Sequence, residues 1–432
     1  MLIEFKFSNF RSFKDETILS MNAMGISDFK ESLLKHGSTI LLPATAIYGK
    51  NGAGKSNVIR AFWLAVQFIK NSQRTQHEKA HVPVTPFALD DCSKSKPTEF
   101  EFTYVSDGIK YIYGFSADKE KIISEHLYHS PKGQKSKVFS RKGQNFEFPE
   151  NPEKRMKQLI STAVAENQLF FSVACTMNYK PCINAMKWFR EKIMFSRDFI
   201  DIPKQLIEYS NNQDMLKSII SYAKQADVGI SDMSFEFSNK EISPKVELEV
   251  PDEIKNALSS FLDALSASAN VSEMAINAHE IKAKSFHTGV ASNGELETYE
   301  LDLADESDGT RKLMALAPAI EIVLNEGGVF LIDEIEKEMH PMLVNFIVAK
   351  FQSKLTNKSK AQLIFTTHDA GLMNMQIIRK DQIYFTDKDH KTGASELYNL
   401  MEFSPATNSN IRKNYLLGKY GAIPNIDIPE VE

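Results

Sequence analysis

Long apolar runs are missing from this sequence. No stretch approaches ~18 uninterrupted apolar residues, so no membrane-spanning helix is expected. Cysteine is scarce: Cys92, Cys175 and Cys182 are the only three, and no two have CxxC spacing. That excludes a disulfide framework and a cysteine-rich zinc site. The three read as buried small side chains in a reducing compartment. The start, MLIEFKFSNFRSF, alternates apolar and charged residues and lacks the continuous apolar core of a signal peptide. The expected location is therefore cytoplasmic, with no membrane partner. An excess of positive charge is lacking too. Net charge is −5, so any nucleic-acid contact has to be local rather than a consequence of overall attraction. No heptad persists, which argues against a long coiled-coil arm, and no internal repeat is visible.

What is present is an ordinary globular composition. The chain has 432 residues, 42% apolar and 25% charged, enough for two or three domains with a substantial core. Ile3, Phe5 and Phe7 alternate with Glu4 and Lys6, the period of a half-buried strand. ILLPATAIYG (Ile40–Gly49) reads as a buried strand feeding a glycine loop. SNVIRAFWLAVQFIKN follows with a helical stripe at Val58, Ile59, Phe62, Trp63, Val66 and Ile69. Strands resume at TEFEFTYV, KYIYGFSA and KIISEHLYHS, with an Asp107-Gly108 hairpin turn between the first two. From about Asn151 short amphipathic helices take over, among them PDEIKNALSSFLDALSASA, with a few strands near Met233–Val250 and Glu295–Leu303. After Thr310 helices alternate with short apolar strands, the pattern of a parallel sheet covered on both faces.

These segments predict an α/β fold. One α/β domain is split in sequence, with an N-terminal antiparallel sheet and a mainly helical insertion. Its expected parts are 1–150, an insertion over 151–295, a second part over 296–390, and a tail over 391–432.

GKNGAGKS, Gly49–Ser56, fits GxxxxGK[ST] in full and stands between a predicted strand and a predicted helix. Gly49, Lys50, Asn51, Gly52, Ala53 and Gly54 would curl around phosphates with their N–H groups inward. Lys55 would reach the β and γ phosphates of ATP. The Ser56 hydroxyl would ligate Mg2+, and Asn57 continues the helix whose positive end faces the phosphates. GGVFLIDEIEKEMHP ends an apolar strand in Asp333-Glu334. Asp333 suits the Mg2+ side and Glu334 the attacking water, since a metal-held γ-phosphate needs a group to position or deprotonate that water. QLIFTTHD repeats the layout one strand later, placing His368 where ligands sit in parallel sheets. Glu336 and His340 have i,i+4 spacing, but further metal ligands are not apparent.

With these motifs in this order the chain resembles the ABC-type ATPases of the SMC/RecF/OLD group. Within it, the nearer resemblance is to bacterial abortive-infection, RloA-like AAA ATPases. FSNFRSF, GKNGAGKS, ESDGTRKL, LIDEIEKEMHP and FTTHD carry it, supported by VPVTPFALDD and NYLLGKYGAIP. It spans both ends of the chain and leaves the middle largely unmatched. The resemblance implies that ESDGT is a signature acting in trans: Ser307, Gly309 and Thr310 would contact ATP held by another subunit in a head-to-tail dimer or higher homo-oligomer. Asp308 departs from the usual signature and is expected to point away or cap the helix. The resemblance also implies a phosphate contact by Arg11, and leaves the equivalent of the Q-loop unassigned. OLD proteins proper add a C-terminal Toprim nuclease. Only 64 residues follow His368, so nuclease activity is not expected here, and a separately encoded effector, a nuclease or toxin, is.

The expected function is thus an ATP-driven switch in antiphage defence. Two others compete: a DNA-maintenance ATPase of RecF or SMC type, and an ATP-binding scaffold with little turnover. The run SPKGQKSKVFSRKGQ carries Lys132, Lys135, Lys137, Arg141 and Lys142 without an acid. It could hold a nucleic-acid backbone, although a solvated hairpin is the simpler reading.

Overall fold

The computed structural model describes residues 1–74, 81–131, 133–150, 153–196, 202–227, 229–242, 276–373, 375–406 and 409–424. PDEIKNALSSFLDALSASA and Lys132 lie outside the described residues. The chain divides into two compact units, Met1–Arg197 with Ala319–Glu432, and Asp198–Pro318.

The first unit opens with β1 (Leu2–Ser8), β2 (Thr17–Ser20), the short pair β3 (Leu34–His36) and β4 (Thr39–Leu41), and β5 (Ala44–Gly49). Helix α1 (Lys55–Asn71) and the turn-length α2 (Asp91–Lys94) follow. Then come β6 (Thr98–Ser106), β7 (Ile109–Ala117), β8 (Ile122–Ser130), β9 (Ser136–Lys142) and β10 (Asn145–Glu147). They build a seven-stranded antiparallel sheet in the order β10-β9-β8-β7-β6-β1-β2. Asp107 and Gly108 both take positive φ, the conformation that a two-residue hairpin between β6 and β7 requires.

Simple alternation holds in β1 except at its start. A register shift against β6 falls between Leu2 and Glu4. It sends Leu2, Phe5 and Phe7 into the main core and Ile3 into a small cluster with Leu34, Leu41 and Val105.

Helices α3 (Lys154–Ser161), α4 (Phe170–Thr176) and α5 (Lys180–Glu191) also belong to the first unit, as does β11 (Ile193–Phe195). The insertion expected from residue 151 therefore begins later, at Asp198. The physical reason is apolar: Phe170, Phe171, Trp188 and Phe189 are buried in the core that holds Phe5, Phe62, Phe100 and Phe102. Trp188 stacks on Tyr104 at 4.5 Å between ring centroids. In α1 the buried stripe is Val58, Ile59, Phe62, Val66 and Ile69, as expected, but Trp63 lies on the outer face.

In the second unit, α6 (Ile202–Glu208) and α7 (Gln213–Ala226) precede β12 (Ile230–Ile242), β13 (Ile276–Val290) and β14 (Leu296–Asp302). The three strands form an antiparallel sheet in that order, so the insertion holds a sheet as well as helices. Helix α8 (Asp308–Glu326) crosses the division at Pro318.

The rest of the first unit comprises β15 (Val329–Ile332), α9 (Pro341–Gln352), β16 (Gln362–Thr366), β17 (Ile383–Lys388), β18 (Ser395–Asn399) and α10 (Ile411–Leu416). The second sheet runs β11-β15-β16-β5-β17-β18. All its pairings are parallel except β17 with β18. β5 from the first part of the chain lies between β16 and β17 from the last, which makes this one domain split in sequence. Every residue of β5, β15 and β16 is buried, as expected for strands covered on both faces. β18 continues this sheet past residue 390, where a separate tail was expected.

Two smaller expectations are corrected. Cys175 and Cys182 are buried, but Cys92 is exposed on the turn of α2. Arg141, counted in the basic run, is not at the surface. Its Nε lies 3.1 Å from Glu125 Oε2, and both side chains are fully buried. The period of β9 turns Arg141 inward, while Lys137 pairs with Glu147 at 2.9 Å.

Candidate functional site

β5 delivers the glycine loop to the edge of the parallel sheet, and α1 begins directly after it. Gly54 precedes the helix at φ 114°, a conformation that favours glycine. An added Cβ there would sit 2.8 Å from Ser395 Oγ and 3.0 Å from Ser12 Oγ. No side chain caps this helix end; Asn57 N and Val58 N bond to Gly54 O, so the N–H groups ahead of them are the ones that would meet an anion.

A cavity of about 630 Å3 opens over the loop, lined by Asn51, Gly52, Gly54, Lys55, Ser56, Asn57, Arg60, Glu334 and His368. Lys55 is buried, and its Nζ donates to Gly49 O at 2.8 Å and Lys50 O at 3.3 Å. It also lies 3.2 Å from His368 Nδ1. Burial lowers the Lys55 pKa, and the carboxylates of Glu334, Glu336 and Asp333 oppose that shift. The other edge of the imidazole faces Glu334, with Nε2 3.7 Å from Oε1. Lys55, His368 and Glu334 thus form a contiguous row.

Three parallel strands fix this row. β15 ends at Ile332, and Glu334 turns the chain at φ 49°. The Glu334 N–H donates to Thr366 Oγ1 at 2.8 Å, and that hydroxyl donates to Asp333 Oδ1 at 2.5 Å. Glu336 accepts from the backbone N–H of His368. Thr366 and Glu336 therefore hold the ends of β15 and β16 together, roles that sequence reasoning did not assign them. Arg60 was missed as well, although its place one turn beyond Ser56 on α1 was a usable signal.

Other expected residues stand apart from the cavity lining. Ala53 is buried, and the Lys50 side chain leaves the loop for Asp387, 2.8 Å away. Asp387 is itself held below its ordinary pKa. Burial acts against its charge but is outweighed by the hydrogen bonds from Lys50 and the N–H groups of Ala422 and Lys388. Arg11 is exposed, with its N–H on Thr85 O at 2.8 Å and its guanidinium 5.8 Å from the Phe10 ring. Its neighbour Ser12 is the residue that reaches the loop, accepting from Asn57 Nδ2 at 2.8 Å. Glu336 and His340 serve different purposes: His340 Nδ1 caps α9 by accepting from Met342 N.

Ser307, Gly309 and Thr310 belong to the second unit. Ser307 Oγ accepts from Thr310 N at 3.1 Å and lies 2.8 Å from Thr310 Oγ1, so it caps α8. Asp308 turns outward and pairs with Arg311.

A glycine loop between a buried central strand and a helix, faced by Asp-Glu and His from the next two parallel strands, is the arrangement of a P-loop ATPase domain. The chain belongs to the family described as "AAA domain, putative AbiEii toxin, Type IV TA system", which matches residues 44–374. No curated protein matches the sequence. Among solved structures it is similar to an Smc head bound to the C-winged helix domain of ScpA, at 12% identity and TM-score 0.39, covering 93% of this chain and 99% of that one. It is also similar to RecF-ATPrS of the RecFOR pathway, at 15% identity and TM-score 0.35, covering 92% and 98%. A third is cbiO1 from Clostridium perfringens, part of the ABC transporter complex cbiONQ, at 12% identity and TM-score 0.29, covering 98% of each chain.

Proposed function

We propose that the protein binds ATP with Mg2+ over the glycine loop, closes head to tail with a second copy, and reopens on hydrolysis. The cycle controls a separately encoded effector in bacterial antiphage defence. The observation that carries the catalytic part of this reading is the row in which His368 lies between Lys55 Nζ, at 3.2 Å, and Glu334 Oε1, at 3.7 Å. Lys55 turns from the loop carbonyls to the β and γ phosphates. Glu334 takes the attacking water, and His368 donates to the γ-phosphate, so that the row distinguishes ATP from ADP.

Among the described residues no group of three His, Cys, Asp or Glu side chains could hold a metal by itself. That suits Mg2+, which takes one or two protein ligands and completes its shell with phosphate oxygens and water. Ser56 and Asp333 are the protein groups that fit, with Asp333 Oδ1 already oriented by Thr366. When bound, Mg2+ neutralises charge on the phosphates.

Ser307, Gly309 and Thr310 supply the other half of the site in trans. Support comes from a hydroxyl and backbone N–H groups gathered at the start of the long helix α8. The toxin–antitoxin wording of the family description supports the defence setting.

Glu334→Gln is expected to trap an ATP-bound dimer, and Lys55→Ala to abolish nucleotide binding. Sedimentation with and without ATP, together with phosphate release, checks both. Turnover by both variants at the rate of the unaltered protein would overturn the site. Purification from the native host is expected to bring the effector along in one nucleotide state; its absence in both states contradicts the switch.

A further inference from the structure

Glu306 immediately precedes the signature serine, and its side chain is only 3% exposed. A carboxylate this deeply placed is costly unless it is hydrogen-bonded. Both of its donors come from one strand, β13. Ser285 Oγ donates to Glu306 Oε1, and His287 Nε2 lies 2.8 Å from the same oxygen. Ser285 is fully buried, and its hydroxyl is also 3.4 Å from Leu301 O on β14.

The opposite edge of the imidazole is confined as well. A Cβ built on Gly229 would fall 3.2 Å from His287 Nδ1 and 3.1 Å from Asp227 Oδ1. Asp227 closes α7 and accepts from Gly229 N at 2.7 Å. The end of α7, the body of β13 and the signature segment therefore meet at His287.

The backbone of Glu306 is extended, at ψ 153°, and its N–H bonds to Leu303 O at 3.3 Å. Ser307 follows at once as the cap of α8. The helix cap fixes the signature turn on one side, and the Glu306 side chain fixes it on the other.

We propose that Glu306 is a positioning residue for the trans contact with ATP, held by His287 and Ser285. Through it the insertion sheet sets where Ser307 presents its hydroxyl. This inference rests on Ser307–Thr310 being the signature.

The test uses the full chain. Glu306→Ala and His287→Leu are expected to bind ATP as monomers with unaltered affinity, while turnover falls about ten-fold to a hundred-fold, the cost of a small misplacement. His287→Gln, whose amide still donates, is expected to retain turnover. Each weakened variant is then mixed with Lys55→Ala, whose signature is intact. One complete composite site re-forms, and phosphate release returns. Ser307→Arg mixed with Lys55→Ala is the reference for the trans reading. If that reference recovers while Glu306→Ala and His287→Leu keep full turnover, or fail to recover on mixing, the positioning role is overturned alone. If the reference itself fails, the trans reading falls and this inference falls with it. Should Glu306→Ala not fold, the contrast between His287→Leu and His287→Gln decides: equal loss in both overturns the proposal.

Discussion

Gly54 shows how little freedom the nucleotide loop has. Its φ of 114° and the hydroxyls of Ser12 and Ser395 leave no room for a methyl group. Gly54→Ala is expected to cost about 1–3 kcal/mol of loop strain, and with it about ten-fold or more in nucleotide affinity. Fluorescent-ATP titration checks this; unchanged affinity would mean that the loop adapts. GKNGAGKS was readable in sequence because the backbone that binds phosphate is contiguous. Asp333, Glu334 and His368 could be singled out because each follows closely on the end of an apolar strand. Ser12 and Thr366 were not, because their roles depend on partners 45 and 33 residues away. A hydroxyl at a strand end or in a turn has no periodic signal of its own.

Between elements, Glu125 is the fastener of the first unit. On β8 it accepts from Tyr113 Oη of β7 at 3.0 Å and from Phe170 N and Phe171 N at the start of α4, at 2.8 and 2.9 Å. Arg141 of β9 completes the shell. Burial raises the Glu125 pKa, against the pull of Arg141 and the hydrogen-bond donors. Arg141→Met would leave the carboxylate buried without its cation, at a cost of about 3–5 kcal/mol. Chemical denaturation checks it, and Glu125→Met combined with Arg141→Met is expected to restore part of the loss. A single variant as stable as the unaltered protein would show the pair to be dispensable. The sequence showed Arg141 only as one base in a run of bases, since its acid sits on the neighbouring strand. The shift at Leu2–Glu4 and the placing of α3–α5 escaped notice for a similar reason. They depend on pairing and on which core the aromatic residues find, not on local period.

At the scale of the whole molecule, the glycine loop and the turn at Ser307–Thr310, proposed above as the signature, fall in different units of one chain. The weave of β5 between β16 and β17 explains why motifs from both ends were legible as one domain. In the described part of the insertion, β12 and β14 match the strands expected near Met233–Val250 and Glu295–Leu303, while β13, the central strand of the sheet, was not expected. If two copies close around ATP, each lends its Ser307 to the other, and nucleotide binding separates from dimer closure. Ser307→Arg tests this most directly, with ATP affinity and sedimentation measured on the same sample. The account predicts monomer affinity close to that of the unaltered protein, with no ATP-dependent dimer and no phosphate release. Weakened ATP binding by the monomer, or a dimer that still forms with ATP, would contradict it.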